Sequence, residues 1–249
     1  MFEAWDDNDI AAETYQNRLL ESKVLVIGAG GLGTNIVNQI ANIGVGEIYV
    51  ADYDRIEISN LSRQFLFTKQ DIGKYKSFTL AECINKRGLG KVIPINERID
   101  GSNISRIIHD NNIQLVTGIT NSAFNERNEL IKSILKEEIP VLCASEHYVG
   151  PLLLNTEDFD RFVEFQKNKF VLHENYLEKR EVQKVTNRHP SMITDLSMVS
   201  SICASDIMNY FSGVIPCRLI NTVYSLNQVS LNFRLIHIEE TSYEKSSLN

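Results

Sequence analysis

The stretch VLVIGAGGLGTNIVNQIANIGVGEIYVADYD, residues 24–54, limits the possible fold of this 249-residue chain more than any other feature. VLVIG is apolar without alternation, which describes a strand covered on both faces. A cluster of Gly28, Gly30, Gly31 and Gly33 follows. After it, Ile36, Ile40 and Ile43 fall on one face of a helix that starts near Gly33 and ends at Gly44. EIYVAD is a second strand, closed by Asp52. Glycine lets the chain turn sharply and brings backbone N–H groups close to a phosphate with no Cβ in the way. The helix start adds unpaired N–H groups and a positive dipole end. A carboxylate at the end of the second strand suits both hydroxyls of a ribose. GxGGxG alone can be mere packing of strand on helix. With strand, turn, helix, strand and acid in register it predicts a nucleotide site, and it leaves NAD and ATP both open.

The pattern continues. Helix is predicted over 74–86, strand over 92–99, helix at SNISRIIHD, strand over 113–119, helix at NERNELIKSILKEE and strand at PVLCAS. Alternating strand and helix gives an α/β fold with a doubly wound, Rossmann-like sheet, parallel in its first half. PLLLN reads as a short strand. Residues 156–190 are dense in charge and read as a solvated helical excursion. Residues 191–212 read as a long helix rich in small residues. CRLINTVYSL and VSLNFRLIHI read as two closing antiparallel strands around a turn. The expected organisation is a polar lead-in with a short helix over 1–22, one domain over 23–249, and a frayed tail.

The residues after Asp52 separate the two nucleotides. Asp54, Asn60, Arg63, Gln64 and Lys76 fall within one loop and the start of one helix. Hydride transfer needs no cations there. Attack of a carboxylate on an α-phosphorus builds charge on phosphate oxygens and does need them. Arg63 can bridge two phosphate oxygens, and Lys76 can act as a mobile point charge. Asn60 can orient a phosphate or ribose oxygen.

DxDxxExSNLxRQFLF…DIGKxK behind GxGGLG resembles the ubiquitin-activating, ThiF/MoeB/HesA-type adenylating enzymes. The likeness is dense from 22 to about 86 and continues through HPSM…SSICASDIMNYFSG and INTVYSLNQVSLNFRLI. In overall shape the chain is most similar to the peptide-modifying, microcin C-type branch. The resemblance implies ATP and Mg²⁺, and adenylation of the C-terminal carboxylate of a peptide or ubiquitin-like protein. It places Gly30 and Gly31 against the phosphates, Asp52 on the ribose, and Asn60, Arg63 and Lys76 on the triphosphate. It also implies a homodimer or heterodimer.

The chain departs from that pattern. Where the family has DxxDN, this chain has TGITN: Thr117 and Thr120 replace the acids and Asn121 remains. A Thr120 hydroxyl is a weaker magnesium ligand than a carboxylate. Glu126 and Asp100 are the nearby acids able to take over. Arg127 either stands for a family arginine displaced by two or is an exposed helix charge. In place of the family's RYxRQ segment, which reaches into a partner's site, the chain offers ETYQNR, with Arg18 as its only candidate. The loss of both acids favours an alternative reading, an altered relative that binds nucleotide beside an active subunit.

Composition sets the remaining limits. A formal net charge of -7 argues against nucleic acid as the main partner. The first basic residue is Arg18, so the start is unlike a signal peptide, and no apolar run is long enough to span a bilayer. A cytoplasmic protein with reduced thiols is expected. The four cysteines form no CxxC pair, which argues against zinc. Cys143 and Cys203 read as core; Cys217, after a proline in a loop, is the only plausible exposed thiol, and the structural reading is favoured for all three. His147 and His189 are substrate contacts or surface histidines.

Overall fold

The computed structural model describes residues 9–88, 90–119, 124–146, 148–178, 193–227 and 232–238. Thr120, Asn121, His147, His189 and the C-terminal tail lie outside the described residues.

The elements alternate as the apolar pattern dictates. Helix α1 (Asp9–Leu20) leads into β1 (Lys23–Ile27), α2 (Gly31–Ile43) and β2 (Glu47–Ala51). Then come α3 (Lys76–Asn85), β3 (Lys91–Ile95), α4 (Ile104–Asn111), β4 (Leu115–Thr117), α5 (Phe124–Lys136) and β5 (Val141–Ala144). The second half adds β6 (Tyr148–Leu153), α6 (Thr156–Glu178), α7 (Ile193–Ser212), β7 (Thr222–Asn227) and β8 (Asn232–His237). Helix α2 begins at Gly31, two residues before the expected start, and ends where Gly44 turns into the left-handed region at φ 96°.

The eight strands among the described residues lie in one sheet, in the order β3-β2-β1-β4-β5-β6-β7-β8. The strands from β3 to β5 pair in parallel, and β6, β7 and β8 join antiparallel. The chain winds outward from β1 through β2 to β3, then returns to β4 on the other side of β1. The crevice beyond the ends of β1 and β4 is therefore the switch point, where open α/β sheets accept ligands.

Alternate strand residues feed two apolar layers. Val24 and Val26 face α2, α3 and α7; Leu25 faces α4, α5 and α6. Ser200, Cys203 and Ala204 are buried on α7. Helices α2 and α7 are joined through side chains: Gln39 Nε2 donates to Ser200 Oγ at 2.7 Å and Ser197 Oγ to Asn35 Oδ1 at 3.2 Å.

One expectation needs correction. The segment from 156 does not begin as a solvated excursion: Phe159, Phe162 and Phe165 are buried in the second apolar layer, with Tyr148 edge-on to Phe162. Spacings of three put these rings on one face of α6, and the surrounding charge masks them in any composition count. Cys217 is half-buried against the first layer, and burial pushes its thiol up to about 11. Cys143 and Cys203 are buried as expected, each pushed up to about 12 by desolvation.

Candidate functional site

The glycines of the first turn divide their work. Gly28 sits at φ 103°, which L side chains rarely adopt. A Cβ on Gly33 would stand 1.8 Å from the Gly28 carbonyl oxygen, so this glycine lets α2 close onto the turn. Gly30 and Gly31 border open space. A Cβ on Gly31 would meet the tip of Leu196 at 2.6 Å and Arg63 Cγ at 3.3 Å.

Asp52 stands behind the turn. Its Oδ2 accepts from the Ala29 N–H at 2.7 Å, and its Oδ1 from the Asp54 N–H at 2.8 Å. Burial raises its carboxyl above the ordinary Asp value, against the pull of those two N–H groups and of Lys76. Each carboxylate oxygen has lone-pair capacity beyond the one bond described.

The loop after β2 folds back on the start of α3. Ile56 N–H donates to Lys74 O and Gly73 N–H to Ile56 O, both at 2.9 Å, and Arg55 bridges Tyr75 in antiparallel fashion. Lys76 N–H donates to Asp54 O at 2.9 Å. Lys76 is thus fixed as the first residue of α3, buried, with Nζ donating to Asp54 Oδ2 at 2.9 Å. A 3-10 turn at Ile58–Asn60 carries the next group. Asn60 Oδ1 accepts from the Glu57 N–H at 3.0 Å, and Asn60 O accepts from the Arg63 and Gln64 N–H groups. Arg63 is braced by its own Nη1 donating to Ser59 O at 3.0 Å.

These pieces surround a cavity of about 440 Å³ at the switch point. Gly30, Gly31, Asp54, Asn60, Arg63, Gln64 and Lys76 line it. Gly28, Gly33 and Asp52 do not line it; they build the turn that does. Arg55, Glu57 and Glu146 also line it and were not singled out from the sequence. The signal for Arg55 and Glu57 was their place in the same loop; Glu146 had none, because it arrives from the far side of β5. Gln64 is 1% exposed, and its Oε1 has no hydrogen-bond partner among the described residues. A buried orphan acceptor beside a polar cavity fits a ligand that brings a donor.

The residues proposed around the missing acids lie elsewhere. Thr117 is fully buried, donating from Oγ1 to Leu142 O at 2.8 Å beside Cys203. Glu126 pairs with Arg98 at 2.9 Å on the surface, and Asp100 accepts from the Ser102 hydroxyl and N–H. Neither lines the cavity. Arg18 Nη1 donates to Ser212 O, closing the end of α7. Arg127 lies over the Phe124 ring, with 5.4 Å from its guanidinium carbon to the centroid. Among the described residues no group of three or more His, Cys, Asp or Glu is placed to hold a metal. Magnesium commonly uses one or two carboxylates plus phosphate oxygens, and Glu57 and Glu146 could supply that much.

A family model described as the ThiF family matches residues 6–247. The chain belongs to the ThiF family. It is 42% identical over 96 residues to the SAMP-activating enzyme E1 of Haloferax volcanii, across 37% of this chain and 35% of that protein. It is 50% identical over 70 residues to the sulfur carrier protein ThiS adenylyltransferase of Escherichia coli, across 28% of each. These matches span about a third or less of the relatives' length. Among solved structures, Escherichia coli MccB with AMPCPP and MccA superposes with a TM-score of 0.72 at 20% identity, covering 91% of this chain and 66% of that one. PaaA superposes with a TM-score of 0.73 at 24% identity, covering 91% and 76%. The ThiF fold thus extends over the antiparallel strands as well as the nucleotide-type half. No helix among the described residues is long and apolar enough to cross a membrane.

Proposed function

We propose that this ThiF-family chain is an ATP-dependent adenylyltransferase that activates the C-terminal carboxylate of a peptide or ubiquitin-like protein, in modified-peptide or sulfur-carrier biosynthesis. ATP supplies the phosphoanhydride whose cleavage drives the activation. The observation that carries the reading is that Arg63 and Lys76 line the same cavity as Gly30 and Gly31. The N–H groups of the turn and the start of α2 would seat phosphate oxygens. Asp52 would orient the ribose, its carboxylate held by two backbone N–H groups. Arg63 would grip two oxygens at once, and Lys76 would meet the charge that grows as pyrophosphate leaves. Asn60 and Gln64 would complete the lining. Thr120 and Asn121 remain candidates for the metal side of the site, and a homodimer or heterodimer is the expected assembly. Two relatives are named for activating SAMP and for adenylylating the sulfur carrier protein ThiS, and one structural neighbour was solved with AMPCPP and MccA, which supports the substrate class.

A second reading has one observation in its favour. Thr117 sits in the core, so the end of β4 brings no acid to the cavity, and an altered subunit that binds ATP without turning it over would look the same. ATP–pyrophosphate exchange with candidate peptides separates the two. Exchange that is lost in Arg63→Ala and Lys76→Ala supports the enzyme. ATP binding with no exchange, whatever the partner, supports the altered subunit.

A further inference from the structure

Arg55 belongs to neither the turn nor the SNLxRQ segment. It stands at a position the motif leaves open, as does Tyr75 in DIGKxK. The chain fills both with a matched pair. The guanidinium carbon lies 4.0 Å from the Tyr75 ring centroid, and Nη1 donates to Gly73 O at 2.6 Å. The antiparallel bridge between the two backbones sets that distance. An exposed arginine usually disorders, at a cost in side-chain entropy when a ligand captures it. Here the ring and the carbonyl hold one face and one corner of the guanidinium. Its Nε and Nη2 have no partner among the described residues, and the residue lines the cavity.

The charge around the cavity indicates what those donors meet. Of the three described cations that line the cavity, Lys76 is already matched by Asp54 at 2.9 Å. Arg63, in the loop, packs beside Gly31, where an added Cβ would meet its Cγ at 3.3 Å. Arg55 is the remaining one, with two donors unspent, and a triphosphate seated on the turn carries more charge than Arg63 alone meets. Resting on the function proposed above, we propose that Arg55, held by Tyr75, is the specificity-determining cation for the outer phosphates of ATP and for departing pyrophosphate. When the substrate's carboxylate oxygen bonds to the α-phosphorus, the bond from that phosphorus to the bridging oxygen breaks. The electron pair leaves on pyrophosphate, no proton moves, and the new charge falls on the group Arg55 serves.

Calorimetric titrations with ATP and with AMP test this on the wild-type chain, Arg55→Ala, Arg55→Lys and Tyr75→Leu. Arg55→Ala should lose roughly tenfold in ATP affinity, the scale of one hydrogen bond to a charged group, with AMP affinity unchanged. Arg55→Lys should fall between, because an ammonium keeps the charge and loses the stacked fork. Tyr75→Leu should weaken ATP alone, by a smaller factor. Equal losses for ATP and AMP would reduce Arg55 to a structural brace and overturn the proposal, as would unchanged ATP affinity in Arg55→Ala. If Arg55→Ala fails to fold, the ATP-to-AMP ratio in Arg55→Lys and Tyr75→Leu decides by the same criterion. A wild-type chain that binds neither nucleotide would overturn the adenylyltransferase reading itself, and this one with it.

Discussion

Lys76 Nζ donates to Asp54 Oδ2 at 2.9 Å, yet the two side chains differ in setting: Lys76 is 9% exposed and Asp54 52%. The ammonium is therefore the partner that depends on the pair. Asp54→Asn should leave it buried beside a neutral amide and lower stability by about 1–2 kcal/mol, below the usual cost for a fully buried pair because Asp54 is half in water. Urea denaturation gives the number. ATP–pyrophosphate exchange should fall much further in Lys76→Ala than in Asp54→Asn, since only the first removes the cation.

Gly33 and Gly31 should respond differently to a single methyl. In Gly33→Ala the Cβ would collide with Gly28 backbone atoms at 1.8 and 2.9 Å, which cannot yield without moving α2 off the turn. Loss of more than ~3 kcal/mol is expected, on the scale of severe overpacking. In Gly31→Ala the near contact is the tip of Leu196, which can rotate, and Arg63 Cγ at 3.3 Å, which would be displaced. That variant should fold with a melting temperature close to wild type and lose ATP affinity. A Gly31→Ala chain that unfolds like Gly33→Ala would contradict this division of roles.

The legible part of this chain was the part governed by local rules. The apolar run at 24–28, the glycines behind it and Gly44 at the helix end fixed strand, turn and helix to within two residues. Buried parallel strands carry near-continuous apolar sequence, and left-handed caps select glycine. The clustering of Arg63, Lys76 and Asn60 around one cavity was also readable, because all sit within 17 residues of one another in a chain that folds back on itself. What escaped depends on distant packing. Three phenylalanines of α6 hide in a charged segment and need the far face of the sheet to explain them. Glu146 reaches the cavity only because β5 ends beside β1's crevice at the same level. Thr117 stands where the resemblance puts the first acid of DxxDN, and its hydroxyl bonds to Leu142 O on the adjacent strand.

Asp71 offers a pH test of the loop that carries Gly73. Its carboxylate accepts from Lys74 Nζ at 2.7 Å and from both the hydroxyl and the N–H of Thr68. The Lys74 bond chiefly, with help from Thr68, holds its carboxyl down at about 2, from an ordinary 3.8. A folded-state value below the unfolded one means the ionised form is favoured by folding. The stabilisation is therefore complete above the unfolded value and fades as pH falls from about 4 through about 2. Lys74 is half exposed, so solvent screening limits the effect to about 1 kcal/mol. Denaturation of wild type and Asp71→Asn at pH 6 and pH 2 should show a gap at the first pH that narrows sharply at the second. A gap of equal size at both would show that hydrogen-bond geometry, not charge, sets the loop.

Thr117 tests whether the missing acids can simply be restored. The side chain is fully buried between Leu142 O and Cys203 Sγ, in the first apolar layer rather than at the cavity. Thr117→Val keeps the shape and removes the hydroxyl, leaving a carbonyl one bond short; a loss of about 1 kcal/mol is expected. Thr117→Asp puts a carboxylate between Leu142 O and Cys203 Sγ in a fully buried position, and should cost several times more or hold its proton up to neutral pH. Titration of the Thr117→Asp chain with Mg²⁺ and ATP should therefore show no gain in metal dependence over wild type. A tighter, magnesium-dependent binding of ATP in Thr117→Asp would mean that position 117 turns toward the nucleotide after all, and that the core placement of its hydroxyl is not what governs the site.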